Sequence, residues 1–197
     1  MVWALDAREA VRGAPRGIGL YQRHLMREFA RLAPGEEFLL YHQLPVPPSL
    51  PAPAANMRLR RIDMPGDRWH LWELVRLPLA LLRDRPRVYH GTCNTLPPLL
   101  PCPGVVTLHD VIVLWWPDDL ADAYVRHCRR ITRRAVAGAR IVLTVSEYSR
   151  REILRRFRPP EEKVRVFHNG IQPLFLEDPA PGEVAETRAR LALDRPY

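Results

Sequence analysis

Short apolar runs recur along the chain, separated by stretches of helical periodicity or by proline and glycine. Each run is short and rich in β-branched or aromatic residues, a pattern typical of buried strands. The predicted strands cover residues 2–5, 38–41, 59–62, 88–90, 105–108, 141–145 and 164–167.

Helical periodicity fills the intervals between these runs. The first helix is predicted from apolar residues spaced four, four and three apart, namely Tyr21, Leu25, Phe29 and Leu32. Further helices are predicted at about 67–83, where Pro78 is expected to introduce a kink, at about 120–137, after Ser146, and at 183–193. Because strands and helices alternate, we expect an α/β fold with a doubly wound, mainly parallel sheet and helices on both faces.

The length of the chain bears on its domain organisation. A chain of 197 residues is long enough for one α/β domain with a buried core. We expect this domain to span residues 1–178, with residues 44–53 forming a proline-rich surface loop. Residues 179–197 are expected to form a linker and the start of an absent second domain, because 194–197 look like the lead-in to another strand.

The chain carries a formal charge of +8, from 30 Lys and Arg against 22 Asp and Glu. Its arginines are scattered over predicted helix faces, as between Arg129 and Arg134, which favours a solvated surface. A nucleic-acid-binding protein is expected to gather its charge in a stripe with interleaved aromatic residues. We therefore expect no nucleic-acid partner.

The three cysteines argue against a metal site. Cys93, Cys102 and Cys128 form neither a Cys-x-x-Cys pair nor zinc-type His/Cys spacing, so no metal ligands are predicted. Their odd number fits a reducing compartment. No signal peptide is visible, and no apolar stretch approaches the ~20 residues needed to cross a bilayer. We expect a cytoplasmic protein that works free in the cytoplasm or at the inner face of the cell membrane.

Polar residues follow several predicted strands, and parallel sheets bind ligands at the carboxyl ends of their strands. Arg16, Gly17 and Gly19 lie at the start of the first helix, where glycines and free N–H groups favour an anion such as a diphosphate. The alternative is a plain glycine-containing turn. His109 ends the strand at 105–108, beside Asp110, and is suited to hydrogen-bond a substrate hydroxyl while a neighbour holds its other nitrogen.

Three more strand ends carry polar residues. His90 is followed by Gly91, Thr92 and Asn94, which are either cleft residues or parts of a turn that Gly91 allows. Ser146 and Glu147 are interpreted first as a helix cap. Asn169 and Gly170 end the last strand and by themselves indicate only a turn.

Taken together and in this order, these pieces resemble the N-terminal domain of the family 4 glycosyltransferases, and the resemblance covers the whole chain. The matching pieces are Leu5-Asp6-Ala7-Arg8, Arg16-Gly17-Ile18-Gly19 with Tyr21, Tyr89-His90-Gly91, Thr107-Leu108-His109-Asp110, Thr144-Val145-Ser146-Glu147-Tyr148-Ser149, Pro160-Glu161-Glu162-Lys163-Val164 and Asn169-Gly170-Ile171. Any one of them is a weak match, whereas their common order is specific.

The resemblance implies a GT-B fold, in which two Rossmann-like domains face a cleft. The N-terminal domain then binds the acceptor, and an absent C-terminal domain holds most of the sugar nucleotide. Gly17 and Gly19 are implied to lie near the donor diphosphate and to offer backbone N–H donors, and His109 to contact the donor sugar at the reaction centre. Further residues are implied to line the cleft or the acceptor site, or to steer the chain across it: Tyr21, His90, Asn94, Asp110, Ser146, Glu147, Asn169 and Gly170.

The implied activity is metal-independent transfer of a sugar, with retention, from a nucleoside diphosphate sugar to a glycan or lipid-linked acceptor in polysaccharide or glycoconjugate biosynthesis. The nucleoside diphosphate sugar is a co-substrate, and no cofactor is expected. The fragment alone is expected to be inactive, because half of its cleft is missing. Two alternatives stay open at this point: another GT-B enzyme such as a sugar-nucleotide epimerase, and a non-catalytic binding module.

An apolar stripe lies in the helix predicted at about 67–83. It comprises Trp69, Leu71, Trp72, Leu74, Val75, Leu79 and Leu82. We expect the stripe to pack against the sheet, because a helix of an α/β domain has to cover a hydrophobic face. The alternative is peripheral contact with a membrane surface beside a lipid-linked acceptor.

Overall fold

In the computed structural model, residues 1–48, 50, 52–64, 71–112, 115, 123–172, 175–193 and 195 are described. This part of the chain forms a seven-stranded sheet in which all neighbouring strands are parallel. The strands are β1 (Val2–Asp6), β2 (Glu37–His42), β3 (Met57–Arg61), β4 (Val88–Gly91), β5 (Gly104–Leu108), β6 (Ile141–Thr144) and β7 (Val164–Val166). All seven predicted strands are confirmed, in the spatial order β3-β2-β1-β4-β5-β6-β7.

The described helices lie where helical periodicity predicts them. They are α1 (Ile18–Leu32), α2 (Leu77–Asp84), α3 (Ala123–Gly138), α4 (Glu147–Phe157) and α5 (Glu183–Arg190). A π-helical turn, Trp72–Arg76, leads into α2, and a 3₁₀ turn, Glu161–Lys163, precedes β7. The predicted helix starts near 67 and 120, and residues 194, 196 and 197 of the predicted strand lead-in, lie outside the described residues. No residue of α5 is buried, and the division into 1–178 and 179–197 stays a prediction.

Helices cover both faces of the sheet, as the alternation of side chains along β1 illustrates. Ala4 packs into a core with buried residues of α2, α3 and α4, whereas Leu5 packs on the opposite face with residues of α1. The fold is therefore doubly wound, as predicted. The chain moves outward from β1 to β3 and then crosses back to β4, so the switch point of the sheet lies between β1 and β4.

The predicted packing of the apolar stripe is wrong for most of its members. Five of them are between 42% and 59% exposed, namely Leu71, Leu74, Val75, Leu79 and Leu82, and Trp69 lies outside the described residues. The buried positions are Trp72, Leu77 and Leu81. The reason is the π-helical turn, in which the Leu77 N–H bonds to the Trp72 carbonyl five residues back and so shifts the buried face by one position.

Candidate functional site

The carboxyl ends of β1, β4 and β5 meet at the switch point and are tied together by hydrogen bonds. The Thr92 hydroxyl, just after β4, donates to the carbonyl of Asp6 at the end of β1 over 2.7 Å. The Asn94 N–H donates to the Thr107 carbonyl in β5 over 3.1 Å. The Gln22 side chain of α1 donates to the Thr92 hydroxyl over 2.6 Å. The carboxyl ends of β1, β4 and β5 and the first turns of α1 are therefore connected by hydrogen bonds. We call this edge of the sheet the rim.

His109 lies on this rim, directly after β5, and is half-buried. Its Nε2 is 2.9 Å from the Thr92 carbonyl oxygen, and its backbone N–H donates to the Asn94 Oδ1 over 2.8 Å. A carbonyl oxygen only accepts, so Nε2 carries the proton and Nδ1 is left as an acceptor. Burial lowers the pKa of His109, although the Thr92 carbonyl and Asp110 oppose this. A neutral imidazole that offers one acceptor is therefore the state at neutral pH.

Tyr21 connects the start of α1 with His109. The two rings meet edge to face, with centroids 4.7 Å apart and planes at 86°. The Tyr21 hydroxyl lies 3.3 Å from the Thr107 Oγ1, and burial raises its pKa. Tyr21 is only four residues from Gly17, whose carbonyl accepts the Tyr21 N–H over 3.0 Å. The glycine turn and the histidine thus occupy the same rim.

The two glycines of this turn serve different purposes. Gly17 has φ of 44° and ψ of −107° at the N-terminus of α1, a conformation that favours glycine. A Cβ at Gly19 would lie 2.7 Å from the Glu9 carbonyl oxygen, so Gly19 is needed for close packing. Its N–H donates to the Arg16 carbonyl over 2.9 Å, which corrects the expectation that Gly19 offers a backbone donor to a diphosphate. Within the described residues, the Gly17 and Ile18 amides donate no backbone hydrogen bond.

His90 lies beneath the rim and is 7% exposed. Its Nε2 is 2.8 Å from the Thr107 Oγ1, the same hydroxyl that Tyr21 contacts. Burial lowers the pKa of His90 to about 4, so it is neutral at neutral pH. His90 therefore supports the residues around His109, and it does not form the cleft surface as predicted.

A cavity of about 520 Å³ opens next to Asn94 and Asp110 on this rim, and His109 itself is not among its described lining residues. The cavity is lined by Arg8, Glu9, Arg12, Gln43, Cys93, Asn94, Thr95, Asp110, Ile112, Tyr124, Cys128, Ile131 and Thr132. Asn94 and Asp110 thus face both this cavity and the neighbourhood of His109. Its volume lies within the range of small-molecule sites.

The sequence interpretation missed a buried ionic cluster at the wall of this cavity. The Arg8 guanidinium bonds both carboxylate oxygens of Asp6 over 2.6–3.0 Å and the Thr95 hydroxyl over 3.0 Å. Its Nη1 is 3.7 Å from Glu73, and its Cζ stands 5.0 Å from the centroid of the Trp72 ring. Burial raises the pKa of Glu73, against the attraction of Arg8. The sequence signal for this cluster is the pair Asp6 and Arg8, in which Asp6 ends the apolar strand β1 and Arg8 follows two residues later.

The remaining predicted residues lie elsewhere along the rim. Ser146 accepts the Ser149 N–H over 3.1 Å, which confirms its interpretation as the cap of α4, and Glu147 is exposed in the first turn. Asn169 and Gly170 are exposed beyond β7, two strands away from β5. Arg16 is exposed on the glycine turn. The ligand contacts implied for these residues stay predictions.

The described residues contain neither a metal-binding cluster nor a membrane-spanning helix. Among these residues, no group of three or more His, Cys, Asp or Glu side chains is placed to hold a metal ion. None of the helices in the described ranges is both long and apolar enough to span a bilayer.

The fold is similar to that of several solved structures. Anabaena HepE in complex with UDP-glucose superposes with a TM-score of 0.56 at 15% identity, covering 98% of this chain and 50% of that one. A sucrose-phosphate synthase from Thermosynechococcus elongatus superposes with a TM-score of 0.53 at 14% identity, covering 98% of this chain and 99% of that one. The fold is one Rossmann-like half of the GT-B type, as expected.

Sequence comparison identifies the family. The Glycosyltransferase Family 4 profile matches residues 15–173, which is more than half of the chain. The chain is also 29% identical over 170 residues to the O-antigen chain mannosyltransferase B of Escherichia coli, covering 80% of this chain and 44% of that protein. The chain therefore belongs to Glycosyltransferase Family 4. It spans about half the length of the mannosyltransferase and of the HepE chain that it matches.

Proposed function

We propose that this chain is the acceptor-side half of a retaining glycosyltransferase. The intact enzyme transfers a hexosyl group from a nucleoside diphosphate sugar to a hydroxyl of a glycan or lipid-linked acceptor, in bacterial polysaccharide or glycoconjugate biosynthesis. Family membership supports the reaction class. The observation that carries the proposal is the shared rim, where His109, Tyr21 and the Gly17 turn meet at the switch point beside a cavity.

His109 contacts the donor sugar in this proposal. Its Nε2–H is held by the Thr92 carbonyl, so only Nδ1 is left to receive a hydrogen bond. A sugar hydroxyl supplies such a proton, whereas a fully ionised phosphate does not. Because burial lowers its pKa, His109 is also uncharged at neutral pH and does not act as a cation for the diphosphate.

The start of α1 faces the leaving diphosphate in this proposal. Transfer forms a bond between the acceptor oxygen and the anomeric carbon and breaks the bond from that carbon to the diphosphate, so negative charge develops on the leaving group, which takes up the proton released by the acceptor hydroxyl. Backbone N–H groups at the N-terminus of a helix stabilise such an anion. The Gly17 and Ile18 amides, which donate no backbone hydrogen bond within the described residues, are the donors proposed for this.

A direct test uses the 197-residue chain by itself. We expect no sugar transfer and no tight binding of UDP-, GDP- or ADP-sugars, because the donor-binding half is proposed to lie outside this chain. Robust transfer by the chain with no partner added, or a micromolar dissociation constant for a sugar nucleotide, would contradict the proposal that the donor-binding half lies outside this chain. Isothermal titration calorimetry and a radiolabelled-sugar assay supply the two measurements.

Peripheral membrane contact is a second proposed property, favoured by the exposed apolar stripe. Leu71, Leu74, Val75, Leu79 and Leu82 form one exposed face of the π-turn and α2. Arg76 and Arg83 are exposed on the same segment, which suits the headgroups of anionic lipids at the inner face of the cell membrane. A lipid-linked acceptor would then lie close to the enzyme that uses it.

Vesicle co-sedimentation tests the membrane contact. We expect the chain to bind vesicles that contain phosphatidylglycerol and to lose most of this binding when Leu74 and Leu79 are both replaced by Ser. The control pair is Leu99→Ser with Leu176→Ser, which changes two exposed leucines outside the stripe. Equal binding by both double variants would refute a role for the stripe.

A further inference from the structure

The cavity next to Asn94 and Asp110 combines ionised, polar and apolar side chains. Its charged lining consists of Arg8, Arg12, Glu9 and Asp110. Its apolar and aromatic lining includes Ile112, Ile131 and Tyr124. The class of molecule that such a cavity accepts depends on which of these charges are already neutralised by neighbours.

Both cations of the cavity have carboxylate partners. Arg8 is buried against Asp6 at 2.6 Å and lies 3.7 Å from Glu73, so two carboxylates face one guanidinium. Arg12 pairs with Glu9 over 2.6 Å. Asp110 has no cation within 4.0 Å among the described residues. Although the chain carries a charge of +8, the described lining of this cavity thus holds no excess of positive charge.

The described lining of the cavity has one buried acceptor without a donor, in Gln43, and one solvent-exposed carboxylate, in Asp110. The Gln43 Oε1 is buried and has no hydrogen-bond partner among the described residues. The Asp110 Oδ1 accepts only the nearby Ile112 N–H, over 3.1 Å, and its carboxylate is exposed. A buried acceptor without a donor is costly, so a ligand that donates hydrogen bonds is favoured here.

We propose that this cavity binds an uncharged saccharide unit of the acceptor, whose hydroxyls donate to Gln43 and Asp110. This inference rests on the proposed function, because it names the acceptor of the same site. A sugar hydroxyl supplies the missing donors, and the C–H faces of a pyranose pack against Ile112, Tyr124 and Ile131. A phosphorylated or carboxylated sugar would instead bring negative charge close to Asp110 and to the buried Asp6 and Glu73.

The test compares two probes by NMR titration of the ¹⁵N-labelled 197-residue chain. The neutral probe is methyl α-mannopyranoside, and the anionic probe is mannose 6-phosphate at matched ionic strength. We expect the neutral glycoside to shift the amides of Asn94, Asp110 and Thr132 in a saturable way. The dissociation constant of the phosphate should be at least about 10-fold higher, because both cations of the described lining are paired with carboxylates.

Variants connect the binding to the two acceptor side chains. Gln43→Ala and Asp110→Asn should each weaken binding of the neutral glycoside about fivefold to tenfold, the effect of one lost hydrogen bond. Asp63→Asn removes an exposed carboxylate elsewhere and should leave binding unchanged. The dispersion of each ¹⁵N spectrum confirms that the variant is folded.

Three results would overturn the inference: tighter binding of mannose 6-phosphate, no saturable shift with either probe, or unchanged binding by both cavity variants. The proposed function is tested separately, by sugar transfer with the intact protein. If the intact protein transfers sugar while the cavity prefers the phosphate or stays empty, this inference alone fails. If no transfer occurs with any acceptor, the proposed function fails.

Discussion

The substitution Gly19→Ala tests the close packing that holds the glycine turn beside His109. A Cβ at this position would lie 2.7 Å from the Glu9 carbonyl oxygen and 2.9 Å from the Pro15 Cβ. Real Cβ atoms do not approach backbone this closely, so the start of α1 or the Glu9 segment has to move by several tenths of an ångström. Overpacking of this kind costs about 1–3 kcal/mol. Alanine regains about 1 kcal/mol of helix propensity, which leaves a net loss of between zero and about 2 kcal/mol.

Urea unfolding followed by circular dichroism measures this loss, with Gly138→Ala as the matched control. Gly138 ends α3, and a Cβ there meets nothing within 4 Å, so the same change should be neutral or stabilising. The His109 ring resonances should also move in Gly19→Ala, because Tyr21 in the first turns of α1 contacts the His109 ring edge to face. A Gly19→Ala chain as stable as Gly138→Ala, with unchanged His109 resonances, would refute the reasoning.

Two further predictions concern His90 and Ser146. The pKa of His90 is lowered from the ordinary value near 6.5 to about 4 in the folded chain. The unfolded chain therefore binds a proton at a higher pH than the folded chain. As a result, stability is lost as pH falls from about 6.5 toward 4. Between pH 7 and pH 5 the free energy of unfolding should drop by about 2 kcal/mol more for the wild type than for His90→Gln. Urea unfolding at the two pH values measures this, and an equal loss of free energy in both proteins would contradict it. Ser146→Ala removes the acceptor for the Ser149 N–H and should lower the free energy of unfolding by about 1 kcal/mol, whereas an unchanged urea midpoint would argue against the cap.

The strands and the two principal site elements were predictable because each depends on local pattern. A strand buried on both faces needs a short apolar run whatever lies around it, as in β1, β2 and β5, and the more exposed β3 and β7 also form where strands are predicted. Gly17 and His109 were found because polar residues that follow such runs lie at the carboxyl edge of the sheet. Their meeting through Tyr21 then follows from the position of α1 next to β5.

The two histidines at strand ends look alike in the sequence but differ in the structure. His90 still belongs to β4, paired with Leu5 on one side and Val105 on the other, so it is buried. His109 comes one residue after β5 ends, so it reaches the rim. A difference of one residue in where a strand ends is below the resolution of pattern analysis.

Two other features depend on long-range packing and on a local change of helical period. Arg8 and Glu73 are far apart in sequence and meet only because the π-turn packs against the ends of β1 and β4. The packing predicted for the apolar stripe assumes a regular amphipathic helix, and the π-turn at Trp72–Arg76 changes the helical period within the stripe. Neither the Arg8–Glu73 ion pair nor the exposure of the stripe could therefore be predicted from local periodicity.

The most direct test of the proposed role of His109 is the turnover number of the intact protein with His109→Ala. If Nδ1 of His109 holds the donor sugar at the reaction centre, kcat for sugar transfer should fall about 100-fold or more, while the KM for the acceptor changes only a few-fold. Folding is checked by the ¹⁵N spectrum of the corresponding 197-residue variant. A His109→Ala enzyme that transfers sugar with wild-type kcat would contradict the account.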